Sequence, residues 1–249
     1  MAHTPNLLEI SPSLFQLRIA GEHAHALNSF ILVEDSGVSL IDTGWPDSAT
    51  LIESAVNALG RTRNDVTRII LTHFHEDHAG SAAAITEWGD IQVIAGAPEA
   101  SAIRGNEPGP LAQLTPAEIT IHAQPTVPPA GPACRVDLTV VDGSVINIAG
   151  GAHVLLTPGH TQGSIALHLP ALDTVLTGDT VAEFGGEVIL GVFNVNRAET
   201  RRSANRIAAT GASIAGFGHG EAVLHAASAR IAAATDPFAE EPATAVILG

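Results

Sequence analysis

Apolar positions recur along the chain with two periods, and one period hands over to the other at regular intervals. Short runs of apolar and β-branched residues predict strands at Leu14–Ile19, Leu27–Val33 and Val38–Asp42, with a hairpin turn over Asp35–Gly37. Leu51, Ile52, Ala55, Val56 and Leu59 then fall on one face of a helix predicted over Asp47–Leu59. Thr50 and Glu53 have the spacing of a capping box, and Gly60 stops that helix. A buried strand at Thr67–Thr72, a helix at Ala79–Trp88, a strand at Ile91–Ala95 and a helix at Ala97–Arg104 follow. The stretch Gly105–Pro132 is rich in Pro and Gly and shows neither period, so it is expected to be a long surface loop and a candidate lid.

After that loop the pattern restarts. Strands are predicted at Asp137–Val141, Val145–Ile148, His153–Thr157, Ile165–Leu169 and Thr174–Thr177. The helix Arg197–Thr210, the strand Ser213–Phe217 and the helix Glu221–Thr235 complete the half. Each half therefore runs strands first, then helix, strand, helix. Two sheets, each covered on one side by helices, make an α/β chain with the layers helix, sheet, sheet, helix, expected to form one domain over residues 1–249.

Four of the apolar strands end in small polar motifs, IIL-THFHEDH, VLL-TPGHTQGS, TVL-TGDT and SIAG-FGHG. They carry His73, His75, Asp77, His78, His160, Asp179 and His219. Strand ends far apart in sequence can converge in space, and loops there often carry function because the strands hold them rigidly. Imidazole nitrogen and carboxylate oxygen are donors that a borderline cation such as zinc accepts. An HxHxDH loop can offer side chains to two sides. That suits two metals about 3.5–4 Å apart, with a carboxylate such as Asp179 free to bridge them.

Composition narrows the partners. The formal charge is -15, with 11 arginines and no lysine, a surface that repels nucleic acid and anionic membranes. One cysteine, Cys134, excludes an internal disulfide and a thiolate zinc cage. No tyrosine is present to serve as a proton donor. No apolar run reaches the ~18 residues of a membrane span, and Met1–Ala20 lacks the basic-then-apolar pattern of a signal peptide, so a cytoplasmic location is expected.

HFHEDH, GHTQGS, TGD and FGH, in this order and preceded by IDTG at Ile41–Gly44, resemble the metallo-β-lactamase fold superfamily, in particular its glyoxalase II-like branch. The resemblance spans about residues 14–225 and implies a four-layer αββα sandwich of two mixed sheets flanked by helices. It implies two Zn2+, with iron or manganese as alternatives: His73, His75 and His160 on one, Asp77, His78 and His219 on the other, and Asp179 bridging. Asp42 would orient a ligand from behind. The implied activity is hydrolysis of an ester, thioester or lactone in a small acyl substrate by a hydroxide formed between the metals, with Asp77 orienting it and shuttling its proton.

Departures from the family pattern sharpen this expectation. Asp179 stands where the β-lactamases carry Cys or Ser, and there is no lysine to hold a drug carboxylate. The tyrosine of the quorum-quenching lactonases has no counterpart. The 40 positions from Asp179 to His219 leave no room for the inserted domain of the nuclease members. Only 30 residues follow His219, too few for the helical glutathione-binding domain of glyoxalase II. Two alternatives remain, a mono-iron oxidoreductase like the persulfide dioxygenases and a zinc-binding protein without turnover. Oligomeric state is left open.

Other polar and aromatic residues receive lesser expectations. Glu76 is expected to be solvated, and His23 and His25 to sit in an exposed turn or at the rim of the pocket. His3, His122, His153, His168 and His225 have no partners in the pattern, and Cys134 is expected to be small packing material. Gly159, Gly178, Gly218 and Gly220 flank ligand positions and are expected to let the backbone bend there. Pocket walls are expected from Gly105–Pro132 and Val181–Asn196; the second segment offers Phe184, Phe193, Asn194 and Asn196 to a neutral or modestly polar acyl group, with core packing the equal alternative for Phe184 and Phe193.

Overall fold

The computed structural model describes residues 5–20, 26–122 and 132–239. Its strands are β1 (Asn6–Ser11), β2 (Leu14–Ile19), β3 (Leu27–Glu34), β4 (Gly37–Ile41), β5 (Val66–Leu71), β6 (Gln92–Gly96), β7 (Leu138–Val140), β8 (Val145–Ile146), β9 (Ala152–Leu156), β10 (Ile165–Leu169), β11 (Thr174–Leu176), β12 (Val181–Phe184), β13 (Glu187–Leu190) and β14 (Ile214–Gly216). Its helices are α1 (Ala49–Ala58), α2 (Glu76–Ala79), α3 (Ala82–Thr86), α4 (Ala100–Ile103), α5 (Pro116–His122), α6 (Arg197–Ala208) and α7 (Ala227–Ala232). Strands β1 to β7 form one sheet in sequence order, antiparallel up to β4 and parallel beyond it. The second sheet has the order β14-β11-β10-β9-β8, with only the β11–β14 pair parallel. β12 and β13 form a separate hairpin.

Strand alternation divides the apolar residues into three layers. On β3, Leu27 and Ile31 face the helices while Phe30 and Leu32 face the other sheet. On β10, Ile165, Leu167 and Leu169 enter the layer between the sheets, and Ala166 faces outward. The outer layer of the first sheet is closed by Ile52, Ala55 and Val56 of α1, Ala82 and Ile85 of α3, and Ala100 and Ile103 of α4. That of the second sheet is closed by Ala204 and Ile207 of α6, Ala227 and Ile231 of α7, and Phe217. Each fully buried Leu or Ile contributes about 1.5–3 kcal/mol relative to exposure, so three such layers fix the αββα stack. Among the described residues no helix is long and apolar enough to cross a membrane.

The predicted strands at Leu14–Ile19 and Ile165–Leu169 form over those same residues. Several other elements differ, for local reasons. β1 has no counterpart among the predicted elements; it pairs antiparallel with β2 at the sheet edge and alternates only weakly. The helix expected at Ala79–Trp88 shortens to α3, and Ala79 instead closes the preceding turn α2; between them Gly80 N–H donates to Gly44 O and Ser81 Oγ to Trp45 O. The helix expected at Glu221–Thr235 shrinks to α7, because Val223 exchanges backbone hydrogen bonds with Ala215 first. Helix α1 begins from Ser48 without a side-chain cap, so the Thr50–Glu53 box does not form; Thr62 and Asp65 make a capping box instead, just ahead of β5. Within the expected loop Gly105–Pro132, residues 116–122 form α5, and residues 123–131 lie outside the described residues, as do His23 and His25.

The two sheets are stitched together along one edge. Ile165 N–H donates to Thr72 O at 2.9 Å, and Asn28 N–H donates to Gly218 O at 2.8 Å. The Asn28 side chain also donates to Phe217 O (3.0 Å) and Gly220 O (2.8 Å). These bonds draw the ends of β5, β9, β11 and β14 into one neighbourhood. The packing account is open to a direct check at Leu167, which is fully buried between the sheets. Leu167→Ala is expected to lower unfolding free energy by about 2–5 kcal/mol in urea titrations with chelator present, and a loss below about 1 kcal/mol would contradict the account.

Candidate metal centre

Each candidate side chain leaves the end of a strand. β5 runs out at Leu71, and Thr72, His73, Phe74 and His75 lead into α2, whose first turn holds Asp77 and His78. β4 delivers Asp42, β11 delivers Asp179, β14 delivers His219, and the turn between β9 and β10 delivers His160. The structure brings all seven expected ligand positions together in two adjoining groups. His73, His75 and His160 make one; Asp77, His78, Asp179 and His219 make the other. Within each group the inward donor atoms lie within 4.8 Å of one another.

In the first group, His73 Nε2 lies 3.0 Å from His75 Nδ1, and His160 Nε2 lies 3.2 Å from the former and 3.0 Å from the latter. In the second, His219 Nε2 is 3.2 Å from Asp77 Oδ2 and 3.3 Å from Asp179 Oδ2. His78 Nε2 is 3.3 Å from Asp179 Oδ1 and 3.6 Å from Asp77 Oδ2. Asp179 Oδ2 is also 3.8 Å from His160 Nε2, so this one carboxylate reaches both groups.

The hydrogen bonds behind the rings fix their tautomers. Asp42 Oδ1 accepts the Thr72 N–H (2.7 Å), and Asp42 Oδ2 accepts both the Thr72 hydroxyl (2.7 Å) and His78 Nδ1–H (2.9 Å). With its proton given to Asp42, Thr72 Oγ1 accepts from His73 Nδ1–H at 3.0 Å. His160 Nδ1–H donates to Val192 O (3.0 Å), and His219 Nδ1–H donates to Ala26 O (3.2 Å). A neutral imidazole has one N–H. The Nε2 atoms of His73 and His160 are therefore lone pairs, while those of His78 and His219 point inward at the Asp77 and Asp179 carboxylates, where each can carry a second proton or meet a cation. Lone pairs of His73 and His160 at 3.2 Å repel unless something positive lies between them.

This donor set fits cations. A tetrahedral ion with metal–nitrogen bonds of about 2.0–2.1 Å holds its ligands about 3.3 Å apart, close to the spacing of the first group. In the second group, His78 Nε2 and Asp179 Oδ1 are buried without a hydrogen-bond partner, which is costly unless a cation satisfies both. Gly218 leaves the space that they use: a Cβ there would lie 1.9 Å from Asp179 Oδ1 and 2.7 Å from His78 Cε1. Its role is close approach rather than bending, unlike Gly159, Gly178 and Gly220, which do adopt positive φ.

The electrostatics of the two groups are opposite. Burial holds His73 and His160 below the usual imidazole pKa and takes His75 down to about 3. Burial also opposes protonation of His78 and His219, but the carboxylates of Asp179 and Asp77 outweigh it. They hold His78 well above the usual value and His219 at about 10. Burial works against the ionised forms of Asp77 and Asp179 as well, yet the neighbouring histidines keep both below the ordinary carboxylate range. The first group is thus a neutral nitrogen cage and the second an ion-pair cluster whose protons a cation can replace.

Some expectations about the surroundings change. Glu76 is half-buried, and burial with Asp77 nearby pushes its pKa to about 7, so it is not simply solvated. Asn194 is buried, donating to Gly191 O and accepting from Thr200, and Asn196 caps α6 through Glu199 N–H; neither is a free pocket wall. Phe184 is 71% exposed on the β12–β13 hairpin. His153 and His168 pair across β9 and β10 with ring centroids 6.1 Å apart, separate from both groups. Cys134 is buried, and its thiol is pushed up to about 11 by that burial. Thr72, which relays Asp42 to His73, stands in the THFH motif, but nothing in the sequence singles it out as a support. The Val192 and Ala26 carbonyls leave no mark in a sequence at all.

Comparison with known proteins identifies the family. A family model described as the metallo-beta-lactamase superfamily matches residues 25–219. The chain is 30% identical over 162 residues to a hydroxyacylglutathione hydrolase of Mesorhizobium japonicum, covering 64% of this chain and 49% of that protein. It is 27% identical over 214 residues to the uncharacterised protein YobT of Bacillus subtilis, covering 78% of this chain and 83% of that one. A solved metallo-beta-lactamase family protein from Thermus thermophilus superposes with a TM-score of 0.67 at 25% identity, covering 90% of this chain and 78% of that chain. The chain spans about half the length of the hydroxyacylglutathione hydrolases it matches. With all seven inward-facing side chains inside the matched residues, the chain belongs to the metallo-beta-lactamase superfamily.

Proposed function

We propose that the chain is a dinuclear metal-dependent hydrolase, with zinc as its metal, that cleaves an ester, thioester or lactone in a small acyl substrate. The observation that carries this reading is the set of outward hydrogen bonds described above. Four histidines donate behind themselves to Thr72, Asp42, Val192 and Ala26, and so turn four Nε2 atoms inward beside two carboxylates. His73, His75 and His160 would hold one ion, and Asp77, His78 and His219 the other, with Asp179 shared. A pair of divalent ions bound there supplies a water acidified toward neutral pH and a Lewis acid for the substrate carbonyl.

The chain's own residues have distinct tasks in that scheme. Asp42 fixes the tautomer and angle of His78 directly and of His73 through Thr72, which keeps both rings basic toward the centre. Asp77 is half-buried, so its carboxylate borders both the cluster and the solvent side. It orients the attacking water, accepts its proton and returns that proton to the leaving oxygen or sulfur. The neutral first group adds no competing negative charge to the side where the acyl oxygen gains charge. Similarity to hydroxyacylglutathione hydrolases supports a thioester among the three bond types. The Asp179 position and the lack of lysine argue against a β-lactam. The complete second group argues against a mono-iron oxidoreductase and against a binding protein without turnover.

Three results are expected. Elemental analysis of protein produced with zinc should give two metal ions per chain. Prolonged chelation should abolish hydrolysis of a p-nitrophenyl ester or thioester panel, and added zinc should restore it. One iron per chain with oxygen uptake, or full activity in metal-free protein, would defeat the reading. Asp77→Asn should retain the wild-type circular dichroism spectrum and lose about 10²–10⁴-fold in kcat. A loss below about tenfold would remove Asp77 from proton transfer.

A further inference from the structure

Glu99 is an acidic side chain that the scheme above does not use. It is 2% exposed and ends the 3-10 turn Ala97–Glu99 between β6 and α4. Among the described residues no basic side chain is a hydrogen-bond partner of Glu99. Its Oε2 accepts the Phe74 N–H at 2.9 Å. Its Oε1 accepts the Gly163 N–H at 2.7 Å and the Thr161 hydroxyl at 2.9 Å. Burying a carboxylate without an opposite charge is costly, and an apolar residue of similar volume is often at least as stable in such a place.

The partners explain what the carboxylate achieves. Phe74 is the residue between His73 and His75, and Thr161 follows His160. One carboxylate therefore grips the loop after β5 with one oxygen and the loop after β9 with the other. These are the two loops that carry the three nitrogens of the first group. The grip is close-fitting. A Cβ on Gly163 would come within 2.9 Å of Glu99, and one on Gly96 within 2.2 Å of Gly163 O. Thr161 is further held by Ser164, whose Oγ lies 2.6 Å from the Thr161 hydroxyl.

We propose that Glu99 is a positioning residue that sets the spacing of His73, His75 and His160 by tying their two loops together, so that metal binding at this group depends on it and binding at the other group does not. The proposal rests on the dinuclear reading. Glu99→Gln is near in shape but carries one acceptor oxygen, so its amide must set a donor against either Phe74 N–H or the Gly163 and Thr161 donors.

The test is titration of metal-free protein with Co2+ against a competing chelator, following the visible absorption of each bound ion. Wild type should take up two ions. Glu99→Gln should bind one with wild-type affinity and the other at least about tenfold more weakly, with an altered absorption band. Thr161→Val should weaken the same ion, and Thr161→Ser should restore it; this pair also decides the matter if Glu99→Gln does not fold. Two ions bound with wild-type affinity and spectrum in Glu99→Gln and Thr161→Val would overturn the proposal alone. A parallel weakening of both ions that follows a fall in metal-free stability would overturn it too, because it marks a purely structural role. A wild-type chain that takes up no cobalt would overturn the proposal together with the reading beneath it.

Discussion

Five imidazoles and two carboxylates share a small, largely buried space, and their arrangement is decided from behind. The Asp42 carboxylate takes the protons of Thr72 and His78 at 2.7 and 2.9 Å, and Thr72 in turn takes that of His73. Val192 and Ala26 carbonyls take those of His160 and His219. Once these outward bonds are made, four Nε2 nitrogens face inward, each open to a proton or a cation. Crowded lone pairs beside anions are unstable unless positive charge lies among them. In the second group protons on His78 and His219 can supply it, as their raised pKa values show. In the first group burial refuses the proton, which leaves a metal ion as the natural partner.

The architecture exists, in this light, to hold strand ends against each other. Two sheets share one apolar layer, and their edge bonds at Thr72–Ile165 and Asn28–Gly218 lock the register between them. Three segments that carry the inward side chains come from one end of the second sheet and one long segment from the first. A slip of one residue in β5 would turn His73 toward the opposite face. The apolar alternation of Ile69, Ile70 and Leu71 guards against that slip, because Ile70 fills the layer between the sheets while its neighbours fill the helix side. Core packing and the geometry of the inward side chains are thus one constraint.

Most of this is legible in the sequence, and the exceptions have physical causes. The strands that lead to the inward side chains are short and rich in apolar and β-branched residues, so they stand out in a single sequence. Strand β1 and the β12–β13 hairpin do not stand out in the same way, and the pattern does not predict them. Helix α7 is short because Val223 found a strand partner in Ala215, a tertiary contact that no local propensity encodes. The seven inward side chains announce themselves because histidines and aspartates clustered at strand ends are rare. Their supports do not: backbone carbonyls carry no residue signature, and Glu99 sits among alanines and a proline 21 positions beyond His78 with nothing nearby to mark it. The Asn194 and Asn196 expectations fail for a related reason, since an asparagine that caps a helix and one that lines a pocket look alike in sequence.

Anomalous diffraction at the zinc edge, from crystals grown with zinc, tests the central claim most directly. The account predicts two peaks about 3.5–4 Å apart, one enclosed by His73, His75 and His160, the other by Asp77, His78 and His219, with Asp179 between them. A single peak, or zinc bound only outside these side chains, would contradict it.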